Sequence, residues 1–95
     1  MNNANNPTSK EEYLAGRCEV CGFYTFKNIE RDSFKICSVC FWEDDGYNDN
    51  PDEVRGGPNQ DLSINQAKAN FKKFGAYSQH VAQYTRAPRD DELRA

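Results

Sequence analysis

Long apolar runs and histidines are scarce in this chain of 95 residues, which has one histidine, one tryptophan and one methionine. A membrane-spanning helix needs about 20 consecutive apolar residues, and no stretch offers them. The first seven residues lack the apolar segment of a secretory signal. No motif places a nucleophile or a carboxylate beside His80, which argues against acid–base catalysis. We therefore expect a non-enzymatic protein of a reducing cytoplasm, with no membrane partner.

Both ends of the chain look too polar to join a core. Residues 1–12 are rich in Asn, Ser, Thr, Lys and Glu, and residues 87–95 are mostly charged. We expect flexible tails at 1–12 and 87–95 and one domain at 13–86. A core built from about seventy residues is small, so a metal ion would stabilise it strongly. Structural zinc contributes about 10–16 kcal/mol of apparent binding energy near neutral pH.

Cysteine, in contrast, is present in a definite pattern. Two Cys-x-x-Cys pairs, Cys18 with Cys21 and Cys37 with Cys40, are separated by fifteen residues. This spacing is typical of a four-sulfur zinc site, because two intervening residues let a tight turn direct both sulfurs to one side. Four thiolates fill a tetrahedral zinc and leave no open position for water. The pattern predicts one structural zinc ion bound by all four cysteines.

The residues that follow each pair differ. Gly22 suits a knuckle whose backbone needs a positive φ, whereas Phe41 holds the matching place in the second pair. The two halves are therefore predicted to be non-equivalent at this position.

Three alternatives compete with zinc. Iron can occupy the same four thiolates, and ligand identity alone does not separate the two metals. Disulfides need an oxidising compartment, which the N-terminus does not indicate. A thioredoxin-type redox pair needs a βαβ context that so short a segment cannot supply. Iron and redox thiols stay open as less favoured hypotheses.

The segments between and beside the cysteine pairs predict a β-hairpin. Residues 23–27 and 33–36 combine aromatic and β-branched side chains at strand-like spacing, and residues 28–32 are polar enough to turn the chain. Each end of the hairpin would carry one cysteine pair. The predicted fold is a small α+β zinc ribbon, with rubredoxin-like knuckles on a β-hairpin, followed by one or two C-terminal helices.

The clearest helix is predicted over residues 64–74. Ser63 and Gln66 form a capping-box pattern, and Gly75 stands where a left-handed C-cap belongs. Apolar residues at helical spacing should pack on the ribbon: Ile64, Ala67, Phe71 and Phe74. Ser78 could cap a second short helix that runs to about Tyr84, with Tyr77, Val81 and Tyr84 facing inward.

The segment after the second pair, residues 41–53, is dense in aromatic and acidic side chains. Its oxygen-bearing residues do not match a calcium loop, because Glu53 occupies the position that requires glycine. A turn-rich surface loop is the favoured interpretation. Exposed acids and aromatics beside a rigid metal centre suggest a protein-binding surface. The predicted partner-binding residues are Trp42, Glu43, Asp44 and Asp45.

The net charge of the chain bears on whether it binds nucleic acid. The formal net charge is −3, and four thiolates with one divalent ion would lower it by two more units. Nucleic-acid binding is thus disfavoured, although many zinc ribbons perform it. It would require basic residues to align on one face: Lys68, Lys72 and Lys73 on the helix, with Arg31 or Lys35.

Residues 17–86 resemble the cysteine-rich CPCC domain family of small bacterial proteins. The resemblance is carried by residues 36–46, by Asn50-Pro51-Asp52, by Gly56-Gly57 with Asn59, by Leu62-Ser63 with Ala67, and by residues 70–76. The chain departs from the family pattern at Glu19 and Val20, which replace a proline and an extra cysteine, and at Ser38, which replaces a proline. The resemblance implies a bacterial zinc-binding domain and supplies no catalytic residues.

Overall fold

The computed structural model describes residues 8–95, whose regular elements are short helices. Helix α1 spans Lys10–Leu14 and helix α2 spans Ile64–Phe74. Three 3₁₀ helices cover Gly57–Asn59, Gln79–Tyr84 and Asp90–Glu92. Residues 1–7, the larger part of the predicted N-terminal tail, lie outside the described residues. Over the described range, no helix combines the length and the apolar character needed to cross a membrane.

The predicted β-hairpin, and with it the α+β zinc ribbon, is wrong. Residues 8–95 contain no β-strand and no sheet, and their one β-bridge joins Ile36 to Glu43. Segment 33–36 therefore pairs with the chain beyond the second cysteine pair and not with segment 23–27. Phe34 N donates to Asp44 O at 3.0 Å, and Asp44 N donates to Lys35 O at 2.9 Å.

Backbone dihedrals give the physical reason for this error. Asn28, Asp32 and Phe34 all have φ near +60°. A strand needs φ well below zero at every residue, so Phe34 interrupts the second expected strand, whereas Asn28 and Asp32 lie in the expected turn, where a positive φ is common. Aromatic and β-branched composition favours an extended chain only where tertiary contacts agree with it.

Helix α2 confirms the predicted bounds 64–74 and both of its caps. Ser63 Oγ accepts from Gln66 N, the Gln66 side chain accepts from Ser63 N, and Gly75 has φ +75°. Ile64 and Ala67 are buried, and Phe71 packs against the core. Lys68, which a nucleic-acid-binding face would expose together with Lys72 and Lys73, is only 8% exposed.

The second C-terminal helix exists as the 3₁₀ helix Gln79–Tyr84. Tyr77 and Val81 are buried as predicted, but Tyr84 is 61% exposed, so its inward orientation is wrong. The Ser78 hydroxyl does not cap the helix. It lies 2.8 Å from Nδ1 of the exposed His80 instead.

One apolar cluster holds these elements together. It contains three of the cysteines and aliphatic and aromatic residues from both halves of the chain: Val20, Phe26, Val39, Trp42, Ile64, Ala67, Ala76, Tyr77 and Val81. The division into a domain at 13–86 and two tails stays a prediction. The described part of those tails nevertheless contains the first residues of α1 and the buried Glu92.

Candidate metal centre

The four cysteine sulfurs form one cluster. All four Sγ atoms lie within 4.8 Å of one another. Cys18 Sγ is 3.6 Å from Cys40 Sγ, and Cys21 Sγ is 3.7 Å from Cys37 Sγ. Four sulfurs placed tetrahedrally at about 2.3 Å from a zinc ion would be about 3.8 Å apart, so the set fits a metal. A disulfide would need about 2 Å, and all four thiols are free.

Each cysteine pair forms a knuckle, residues 18–23 and 37–42, and the two knuckles share one hydrogen-bond pattern. Cys18 N donates to Phe23 O at 2.8 Å, and Cys37 N donates to Trp42 O at 2.9 Å. The return bonds also correspond: Gly22 N donates to Cys18 O at 3.0 Å, and Phe41 N donates to Cys37 O at 2.8 Å.

The residue after each pair has a positive φ, +81° at Gly22 and +70° at Phe41. The knuckle backbones are therefore equivalent there, and the predicted non-equivalence at this position is wrong. Tertiary contacts hold Phe41 in a conformation that ordinarily favours glycine. Its ring packs on Tyr84, with the ring centroids 5.6 Å apart.

The cysteines differ in burial. Cys18, Cys37 and Cys40 are fully buried, whereas Cys21 is partly exposed. A cavity of about 260 Å³ opens beside Cys21, and its lining includes Arg17, Glu19 and Lys68. Solvent therefore approaches the cluster from the first knuckle.

Burial raises the pKa of the Cys18 and Cys40 thiols well above the ordinary value. The thiols of Cys18, Cys21 and Cys40, by hydrogen bonding to Cys37, hold the pKa of Cys37 far below it. Four thiolates cannot share a dry site without a compensating cation, and a bound divalent ion supplies that charge. The donor set thus suits a soft, thiolate-binding metal.

Two groups outside the four cysteines also approach Cys37. The Thr25 hydroxyl lies 3.1 Å from its sulfur, and the backbone N–H of Cys40 donates to the same sulfur at 3.5 Å. Thr25 belongs to the segment that follows the first knuckle. This polar contact to a sulfur therefore crosses from one half of the site to the other.

The four residues predicted to bind a partner lie in different environments. Trp42 is 5% exposed and packs edge-to-face on Tyr77, and Asp44 is 1% exposed. Glu43 and Asp45 are partly exposed. The partner-binding role of all four stays a prediction.

Asp44 is the acceptor of a buried polar network. Its carboxylate accepts from Tyr13 Oη at 2.7 Å, from Arg31 Nε at 2.7 Å and from Asp32 N at 2.9 Å. Although burial opposes the shift, the hydrogen bonds from Arg31 and Tyr13 hold the pKa of Asp44 below its usual value.

Arg31 extends this network toward the first knuckle. Its guanidinium donates to Tyr13 O and Arg17 O and stacks 3.7 Å from the Tyr13 ring centroid. The network therefore joins α1 and the chain entering the first knuckle to the chain leaving the second.

The C-terminal segment contacts both knuckle regions. Arg86 N donates to Ser38 O at 3.2 Å, within the second knuckle, and Tyr24 N donates to Glu92 O at 2.7 Å, just after the first. Arg86 and Glu92 form a two-pronged ion pair at 2.8 and 2.9 Å. The pKa of Glu92 falls to about 2, chiefly because the Arg86 side chain donates hydrogen bonds to its carboxylate.

Sequence reasoning missed several of the residues that build this centre. Nothing in the pattern marked Thr25, and Arg31 was considered only for a nucleic-acid-binding face. Asn59, which was noted only within the family resemblance, is 2% exposed. Its amide exchanges two hydrogen bonds with the Glu43 backbone, at 3.0 and 2.8 Å.

Residues 16–92 match the protein-family model described as Cysteine-rich CPCC. No curated protein and no solved structure matches the chain significantly.

Proposed function

The chain belongs to the cysteine-rich CPCC family, and from that membership we propose that it is a structural zinc-binding domain of a bacterial cytoplasmic protein. The observation that carries the proposal is the spacing of the four sulfurs, 3.6 and 3.7 Å for the two pairs measured. One ion held by Cys18, Cys21, Cys37 and Cys40 would join the two knuckles. Each knuckle would contribute two ligands.

Zinc is proposed over iron on chemical grounds. The tetrathiolate set accepts either metal, but zinc has no redox chemistry and suits a site whose role is to stabilise a fold. The apolar cluster around the sulfurs is small and supports no sheet within residues 8–95. Metal binding would therefore supply a large share of the folding free energy.

We further propose that the zinc-stabilised domain binds a protein partner and has no catalytic activity. A closed tetrathiolate site offers no open metal position at which a substrate could bind. Beside the second knuckle, Phe34 and Ile36 are 55% and 44% exposed. Glu43, which is partly exposed and forms the β-bridge with Ile36, adds a carboxylate beside them. An apolar and acidic surface of this kind suits a protein partner better than a phosphate backbone.

Elemental analysis of the purified protein, combined with thiol titration, tests the metal. We expect one zinc ion per chain and no reactive thiols in the native protein. Exhaustive chelation should expose all four thiols and unfold the region around them. Visible absorption together with one iron ion per chain would show that the bound metal is iron and not zinc. A native near-ultraviolet circular dichroism spectrum that survives chelation, with four titratable thiols, would overturn the structural role of any metal.

Variants of the proposed surface test the interaction. Glu43→Lys and Phe34→Ser should abolish capture of a partner identified with the wild-type protein, while zinc content stays at one ion per chain. Asp44 is unsuitable for this test because its substitution would disturb the buried network. Equal capture by the wild type and by both variants would reject this surface.

A further inference from the structure

Thr25 contacts the sulfur cluster without belonging to the four cysteines. Its Oγ1 lies 3.1 Å from Cys37 Sγ. Within residues 8–95, no other hydroxyl forms a hydrogen bond with a cysteine sulfur. Thr25 and Cys37 are twelve residues apart in the sequence. Their contact therefore joins the two halves of the site.

The backbone on both sides of Thr25 is held in place. Tyr24 N donates to Glu92 O at 2.7 Å, and Phe26 N donates to Gly16 O at 2.9 Å. A Cβ added to Gly16 would lie 2.7 Å from Lys27 N, so the two segments are in direct backbone contact. Phe26 itself is 1% exposed. The position of the Thr25 side chain is thus set by the packing of the fold.

The direction of the hydrogen bond follows from the charge of its acceptor. A metal-bound cysteine is a thiolate and has no proton to donate. Once Cys37 binds a metal, the Thr25 hydroxyl must therefore be the donor. The Cys40 N–H, 3.5 Å from the same sulfur, adds a weaker second donor. Hydrogen bonds to a charged acceptor are stronger than those to a neutral one.

We propose that Thr25 is a positioning residue of the metal centre, whose hydroxyl fixes the Cys37 thiolate and slows its loss from the metal. This inference rests on the proposed metal-binding function. Donation to the sulfur withdraws charge from it, which makes the thiolate less reactive toward protons and electrophiles. Outer groups that orient metal ligands commonly alter metal affinity by about 10–100-fold.

Thr25→Val is the direct test, because it removes the hydroxyl and keeps the shape of the side chain. In cobalt(II)-loaded protein, we expect the sulfur-to-metal charge-transfer band to move to longer wavelength, since a thiolate without its donor gives up electrons more easily. Zinc release to excess chelator should be about tenfold faster than in the wild type.

Two substitutions control for altered packing. Thr25→Ser keeps a hydroxyl and should restore both the band position and the release rate. Thr85→Val removes a hydroxyl that donates to Ala82 O at 2.9 Å and forms no hydrogen bond with a sulfur, and it should leave both unchanged. A Thr25→Val protein with the wild-type band and the wild-type release rate would overturn the proposal.

A measurement on the unsubstituted protein covers the case in which Thr25→Val does not fold. In cadmium-113-loaded wild type, we expect a coupling between the metal nucleus and a slowly exchanging Thr25 hydroxyl proton. A rapidly exchanging hydroxyl with no such coupling would also overturn the proposal. Failure of the wild type to bind one metal per four thiolates would instead reject the proposed function, so the two failures are distinguishable.

Discussion

The two knuckles have the same backbone and different surroundings. Each closes with a pair of corresponding hydrogen bonds and a residue at positive φ. Both cysteines of the second are fully buried, and the rest of the chain contacts its backbone, since Tyr77 N donates to Cys40 O at 2.8 Å and Arg86 N donates to Ser38 O. The first borders a cavity and leaves Cys21 partly exposed. The shared Cys-x-x-Cys spacing accounts for the common backbone, whereas the packing of the rest of the chain determines how accessible the cysteines of each knuckle are.

The largest expected effect comes from removing one sulfur from either knuckle. Cys40→Ser should abolish zinc binding and most of the roughly 10–16 kcal/mol that such sites contribute, because no water can replace a ligand in that buried position. Cys21→Ser should weaken zinc binding less, since solvent reaches its site. Chelator competition and thermal melts would rank the two variants. Equal losses would show that the difference in burial has no effect on metal binding.

The second-largest loss of stability is expected from breaking the Arg31–Asp44 ion pair. This pair links the chain entering the first knuckle to the chain leaving the second. Arg31→Met would leave the Asp44 carboxylate buried and without its ion-pair partner, and should lower the free energy of unfolding by about 3–5 kcal/mol. Arg89→Met is the control, because that side chain is 68% exposed and should matter by less than about 1 kcal/mol. Urea denaturation of zinc-loaded protein measures both. Similar small losses would contradict the structural role of Arg31.

Acid should weaken the C-terminal contact that spans both knuckles. The pKa of Glu92 is about 2 in the folded chain and about 4.3 in an unfolded one. Its ionisation therefore stabilises the fold above about pH 4.3, and this contribution is lost as the pH falls toward 2. At pH 6 the melting temperature of Glu92→Gln should be lower than that of the wild type. The difference between the two melting temperatures should narrow as the pH falls.

This comparison needs a control and a metal that stays bound in acid. Cadmium, being softer than zinc, is suited to hold thiolates at lower pH. Glu30→Gln changes an exposed carboxylate and should melt with the wild type throughout. A gap between Glu92→Gln and the wild type that stays constant from pH 6 to pH 3 would contradict the depressed pKa.

The smallest effect tests the equivalence of the two backbones. Both Gly22 and Phe41 have positive φ, where a Cβ costs about 1–2 kcal/mol. Gly22→Ala should therefore destabilise by about that amount, and Phe41→Ala should be less stable than Phe41→Gly by a similar amount. Melting all four proteins with zinc bound would give both differences. Clearly unequal differences would mean that the knuckles are held differently.

The features that the sequence predicted correctly are those set by short-range interactions along the chain. Cysteine spacing predicted the cluster of four sulfurs, and the Ser63–Gln66 capping box with Gly75 gave both ends of α2. Each Cys-x-x-Cys pair and each helix cap depends on residues a few positions apart, although the cluster itself also joins Cys18 to Cys40. Such short-range patterns are reliable because they leave few alternative conformations.

Contacts distant in sequence were not predictable in the same way. Segment 33–36 has strand-like composition, but it pairs across the second knuckle and not with segment 23–27. The sequence predicted Asp44 as part of an acidic surface, but its carboxylate is buried and accepts hydrogen bonds from Arg31 and Tyr13. Thr25 reaches Cys37 only because distant segments fix its backbone. A single sequence does not show which distant segment will supply such a partner.

The position of the Arg86–Glu92 pair along the chain has a consequence for synthesis on the ribosome. All four cysteines lie within the first 40 residues, whereas the segment that contacts both knuckles lies far downstream, at residues 86–92. If the proposed metal binding holds, the sulfurs are synthesised and able to bind an ion before the C-terminal segment is made. Ion capture and final closure of the fold are then separate events in the order of translation.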